Sequence, residues 1–248
     1  MAGPVTVPVI PDRLALSPYV RQLAAASCAA AIAGALVGGL GGRLAMRLLA
    51  VTDSRTTGLM TDDGFEVGRI SLGGTLQLVA AAIQIGLLGT VVYLVVRPLL
   101  WGPPWLRIAT VALGAGSTVG ALLIEPDSFD FQAFDPPMLP VVLFVALPVT
   151  HVALFAALTE WWLVEGSWFR TAPLRPVALT LLVWVLGAFA FVMVAPMAVA
   201  CVAVLLLVHR YPPGRAVRVA TPLIGRAVLV SIFVLAVINL SADVADLV

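Results

Sequence analysis

Charge is missing from this chain in blocks as long as a bilayer crossing. Arg21 and Arg43 are separated by 21 residues without an acid, lysine or arginine, Arg69 and Arg97 by 27, and Asp135 and Glu160 by 24. A hydrocarbon core about 30 Å thick takes roughly 20 apolar helical residues, each rising about 1.5 Å. With 61% hydrophobic residues, 11% charged residues and a mean hydropathy of +1.09, one water-soluble core cannot absorb these stretches. The expected fold is all-α, a polytopic transmembrane helix bundle that makes residues 1–248 a single integral membrane domain with no appended soluble unit.

Composition removes several function classes. A net charge of +1 carries no concentrated basic face, so no nucleic-acid partner is expected. All fourteen basic residues are arginine, so no side-chain amine exists for Schiff-base chemistry. Cys28 and Cys201 lie in apolar runs, where cysteine acts as a small hydrophobe. Residues 1–16 lack the positive start of a cleavable signal. Ser17 and Pro18 read instead as an N-cap and first helical position, so the first span is expected to be retained.

Charge gaps and turn residues place spans near 20–42, 72–96, 107–124, 138–162, 176–194, 196–209 and 224–242. The run from Pro176 to Val208 is too long for one untilted crossing, and Pro196 removes a backbone donor inside it. Two short spans give seven crossings, and one bent helix gives six. Arginines at 13 and 21, 97 and 107, 170 and 175, and 210 to 226 fall on one face under the seven-span reading. Short cytoplasmic loops carry the basic excess, so that face is inside, the N-terminus is in and the C-terminus out. Residues 43–71 and 125–137 become extramembrane loops of the outer face. The first of these disagrees with the rule, because it holds Arg43, Arg47, Arg55 and Arg69. Either it folds into an ion-paired cap or the orientation is inverted.

Polar residues inside the spans are the candidates for function. Gln84 and His151 each fall at the middle of a span, where a polar group normally faces the bundle interior with a partner. Their matched depth predicts a contact. The plain reading is one interhelical hydrogen bond, and the functional reading makes the imidazole a proton carrier. Glu160 precedes Trp161 and Trp162 at headgroup depth, with Arg170 or Arg175 as its expected partner. Asn239 is expected to help pack the last span. His151 and His209 belong at different depths, so no metal site is expected. No phosphate-binding loop, no G-x-S-x-G elbow and no EF-hand spacing occurs, and no cofactor is implied.

The first span carries Gly34, Gly38 and Gly42 at four-residue spacing, a stripe on which another backbone can come close. An internal neighbour is favoured over a partner protomer, and the third span, with Gly116 and Gly120, is the suggested one. No breaker follows Gly42, so the helix should run on. Arg43 and Arg47, four apart, should then project from one face and suit a phosphate or carboxylate, with the acids of their own loop as the simplest occupants. Asp62, Asp63, Glu66 and Arg69 form the candidate ion-pair motif of that loop, and Asp63-Gly64 signals a hairpin turn.

The pattern Gly41-Gly42-Arg43-x-x-Met46-Arg47, then Thr61-Asp62-x-Gly64 and Val67-Gly68-Arg69-x-Ser71-x-Gly73-Gly74-Thr75, resembles a group of actinobacterial multi-pass membrane proteins of unassigned activity. The likeness covers about residues 38–100. It implies an actinobacterial inner membrane and carries no activity with it.

Between Asp127 and Asp135 phenylalanines alternate with acids, as in a short interfacial anchor or a collector of cations. Three functions fit these features. The leading one is an ATP-independent channel or carrier for an ion or small solute, with Gln84 and His151 lining its midplane. The others are a non-catalytic scaffold and a lipid-modifying intramembrane enzyme. The expected surroundings are the lipid bilayer of a bacterial inner membrane, and a membrane-protein partner or a second copy is an open option.

Overall fold

A computed structural model describes residues 17–53, 55, 57–60, 68–124, 131, 138–188, 192, 196 and 215–247, with side chains in the last segment from Ala220 onward. Of the spans expected at 176–194 and 196–209, residues 189–209 other than Val192 and Pro196 lie outside the described residues. So do Cys201, His209, Asp62, Asp63, Glu66 and the hairpin turn at Asp63-Gly64.

All regular structure among the described residues is helical. Helix α1 (Ser17–Ala33) runs without a break through a π-helical segment (Gly34–Gly41) into α2 (Gly42–Thr52). The absence of a breaker after Gly42 therefore acts as expected, and the loop begins at Asp53 rather than at 43. Helix α3 (Leu72–Val96) starts where the Ser71 hydroxyl accepts the Gly74 N–H at 3.2 Å, satisfying one orphan donor of its first turn. A single 3₁₀ turn (Arg97–Leu99) and Gly102, at φ +88°, bring the chain round to α4 (Pro104–Leu123), which opens on proline at its first position. Helix α5 (Met138–Trp162) carries Pro148 in its interior. Two short helices, α6 (Trp168–Thr171) and α7 (Leu174–Leu179), precede a 3₁₀ segment (Thr180–Val185), and α8 (Arg215–Asp246) closes the chain.

Five of these rods are long and apolar enough to cross a membrane: Ser17–Thr52, Leu72–Leu99, Pro104–Leu123, Met138–Trp162 and Ala220–Asp246. Their outward faces are as oily as their inward ones, with Leu76, Ile85 and Leu122 all exposed. A soluble protein would hide such residues, and lipid accepts them. The chain is a membrane-embedded helix bundle.

Packing follows from small residues, since lipid tails are as apolar as a core and close backbone approach must hold the helices together. Alanines 26, 29, 30 and 33 of α1 are wholly buried against Leu87, Tyr93, Phe155 and Ala156. A Cβ at Gly34 would lie 2.7 Å from the Ala82 carbonyl oxygen, and one at Gly86 would lie 2.8 Å from that of Ala30. The neighbour of the first glycine stripe is therefore the second span, α3, whose own small residues Ala82 and Gly86 answer it. The third span was the expected neighbour. Its glycines 116 and 120 instead receive Val149 and Val145 of α5.

The rods have two distinct ends. Ser17, the Arg97–Pro103 turn, the 163–172 loop and Arg226 of α8 share one, tied by Arg21 to Phe169 and Ala172 and by Arg226 to Leu99. At the other end Phe131, 1% exposed, is clasped by Ile124, Val141 and Phe144 with Leu240, Val244 and Leu247 of α8. Phe131 is thus a buried plug at this end of the bundle and not an interfacial anchor. Because α5 finishes at the first end and α8 starts there, the chain between them returns to the face it left.

Candidate functional site

The middle of the bundle is a three-helix crossing. His151 is the fourteenth of 25 residues in α5. Its imidazole packs at ordinary contact distance beside two glycines, whose missing side chains would collide with α1 and α3 instead. A Cβ on Gly86 of α3 would stand 3.4 Å from Cε1, and one on Gly38 of the π segment would stand 3.7 Å from Nδ1. Gly39 beside it admits Val79 of α3, and Gly41 receives Leu147 of α5 at 3.3 Å. Several local features meet here. The facing helix is π-wound, a form concentrated at functional sites. Pro148, three residues before His151, cannot donate the backbone hydrogen bond expected of its position. His151 is the only acid or base near mid-depth among the described residues, and it makes no hydrogen bond to any of them.

Gln84 does not join it. Two residues along an α-helix is a turn of about 200°, so Gln84 lies on the flank of α3 away from Gly86. Equal depth led to the expected contact, but depth does not fix the helix face. Gln84 is half-buried and unbonded to His151.

A second polar centre sits at the end rich in arginine. The Glu160 carboxylate accepts Arg97 Nε at 2.6 Å and Nη2 at 3.0 Å, a two-pronged ion pair, and Tyr93 Oη donates to the same carboxylate at 2.8 Å. Glu160 is 13% exposed and Arg97 25%, while the Tyr93 ring stacks edge-on against Phe155 at 5.0 Å. Arg107 adds a further positive field. The expected partners of Glu160, Arg170 and Arg175, are thereby corrected. Arg170 instead donates to the Leu163 carbonyl at 3.1 Å, closing its own loop. The true partner had a signal: Tyr93 and Arg97 are four residues apart on one helix face, at the depth of Glu160.

Other arginines also hold backbone. The Arg21 fork donates to the carbonyls of Phe169 at 2.7 Å and Ala172 at 2.9 Å. Trp184 Nε1 donates to the fully buried Ser27 hydroxyl at 2.9 Å, pinning the 3₁₀ segment to α1.

At the opposite end, Arg43 and Arg47 do not present one exposed pair. Arg43 is 6% exposed, its guanidinium lying against Gly74 where any side chain would collide with it. Arg47 is exposed and donates to the Gly68 carbonyl at 3.2 Å. Both thus brace the start of α3 from α2. Asp53 and Arg55 pair at 2.8 Å, and Arg69 is exposed. Asn239 is also exposed on α8, so it is not buried between helices of this chain. Among the described residues no cluster of three His, Cys, Asp or Glu side chains could hold a metal ion.

Chemically, the midplane offers, among the described residues, one imidazole that can take up and release a proton. No family model, curated protein or solved structure matches this chain.

Proposed function

We propose that this is an ATP-independent membrane transporter of the channel or carrier class, passing an ion or small solute with His151 as its midplane group. The observation that carries the reading is the unbonded imidazole at the crossing of Gly38, Gly86 and the Pro148 turn, opposite a π-helical segment. A polar group at that depth is costly and normally marks a pathway. A π segment facing a proline turn gives the two walls backbone freedom that ideal helices lack.

The same proposal includes seven crossings, with the arginine-rich end in the cytoplasm, the N-terminus inside and the C-terminus outside. Its support is that the chain between α5 and α8 begins and ends on one face, which an even number of extra crossings satisfies and a single one does not. The host is then a bacterial inner membrane, as the resemblance to the actinobacterial group implies.

Proteoliposomes loaded with a pH-sensitive dye, under a potassium diffusion potential, test the site. Wild-type protein should carry proton flux above protein-free vesicles, and His151→Ala should fall to that background with unchanged elution and thermal unfolding. Equal flux from both proteins rules out His151 as the conducting group.

A second reading, a scaffold for another membrane protein or a second copy, is favoured by α8. That helix packs chiefly on α4, and its flank from Leu223 to Ile238 is exposed. The enzyme reading has less support, because Arg43 is committed to Gly74 and is not offered with Arg47 to a headgroup.

A further inference from the structure

Where the turn between α3 and α4 meets α8, an open groove of about 550 Å³ is lined by Trp101, Arg226, Ala227, Val230 and Ser231. We propose that this groove binds one anionic glycerophospholipid, its phosphate on Arg226 and an acyl chain along Val230.

The guanidinium of Arg226 is held on two sides. Nε donates to the Leu99 carbonyl at 3.0 Å, and the group lies over the Trp101 ring at 5.5 Å from its centroid. Neither Nη1 nor Nη2 donates to any described residue, so two N–H₂ groups face the groove in a fixed plane. An immobilised fork of this kind matches two phosphate oxygens and loses little freedom on binding. Close packing maintains its position. A Cβ on Gly225 would stand 3.0 Å from Leu99 Cδ1, so the glycine lets α8 settle closely onto the turn with Arg226 in register.

Depth and charge select the occupant. Trp101 and Trp105 are exposed at this level, as tryptophans of an interfacial belt are, which puts Arg226 at the height of lipid phosphates. One turn deeper the wall is Val230, continuing onto the oily flank of α8. Among the described residues no acid lines the groove. Glu160, at the same end of the bundle, is already taken by Arg97 and Tyr93. Arg107, bonded through Nε to the Gly102 carbonyl at 2.9 Å, adds a second cation to the same turn. A basic pocket at one membrane face, open sideways to lipid, has the chemistry that retains anionic headgroups.

Native mass spectrometry of the whole chain in mild detergent reads the site directly, using phosphatidylglycerol, phosphatidylcholine and soluble glycerol phosphate as probes. Wild-type protein should retain one phosphatidylglycerol on the order of tenfold better than phosphatidylcholine, the equivalent of one charge-assisted hydrogen bond. Arg226→Gln should erase that preference. Ser231→Phe, which fills the groove and leaves the guanidinium in place, should lower retention of both lipids. Arg47→Gln, at the opposite end, should change nothing. Equal retention by wild type and Arg226→Gln overturns the proposal, as does indifference between the two lipids. Glycerol phosphate competing as well as the intact lipid also overturns it, since the site would then be a plain anion site.

Discussion

Replacing Glu160 with glutamine keeps the shape of the Tyr93–Arg97–Glu160 cluster and removes its negative charge. Two unit charges about 4 Å apart attract by about 4 kcal/mol at an effective dielectric near 20, and partial desolvation takes back a share. The pair is mostly buried, at 25% and 13% exposure, and bonded at 2.6 and 3.0 Å, so it belongs in the upper half of measured pair couplings, about 2 kcal/mol. Glu160→Gln alone should cost about 3 kcal/mol, because Arg97 then keeps a half-buried charge without its counterion. Arg97→Gln should cost less, since Glu160 keeps the Tyr93 hydroxyl and the Arg107 field. The double variant should be more stable than the sum of the singles by the coupling energy.

Thermal unfolding in detergent, followed by tryptophan fluorescence, supplies the readout because Trp161 and Trp162 adjoin Glu160 in sequence. At roughly 2–4 °C per kcal/mol for a chain of this size, Glu160→Gln should lower the midpoint by about 6–12 °C. If the two single effects add to within about 0.5 kcal/mol, the ion pair does not join α3 to α5 energetically, and the reasoning fails.

Gly86→Ala should destabilise by about 1–3 kcal/mol, because its Cβ meets the Ala30 carbonyl oxygen at 2.8 Å. Gly89→Ala, with nothing within 4 Å, should instead gain up to about 1 kcal/mol from helix propensity, and unfolding midpoints of the two variants compare them on one scale. Phe131→Ala should cost about 3–5 kcal/mol by emptying the plug between α4, α5 and α8, visible as a lower midpoint and faster proteolysis near the C-terminus.

Much of the bundle is legible in the residues, and the parts that are not share a physical cause. Charge gaps locate the four spans up to Trp162 and the last span, because lipid forbids unpaired charge over a fixed length. What spacing along one helix cannot give is the face of another. The glycine stripe on α1 is plain, yet its partner is chosen by where α3 places Ala82 and Gly86. Gln84 and His151 share a depth, but a half-turn offset at Gly86 separates them. Arg170 and Arg175 are near Glu160 in sequence, whereas its ion pair with Arg97 spans 63 positions. The π segment had only a density of glycine to announce it, and such glycine is equally compatible with an ordinary α-helix.

Everything rests on the threading of these rods through a bilayer, with Glu165 at one face and Met60 and Asp246 at the other. Single cysteines at these exposed positions, in a background lacking Cys28 and Cys201, can be labelled with a membrane-impermeant maleimide. In intact cells Met60→Cys and Asp246→Cys should react, and Glu165→Cys should react only after lysis. Labelling of Glu165→Cys and Met60→Cys from the same side would contradict the arrangement.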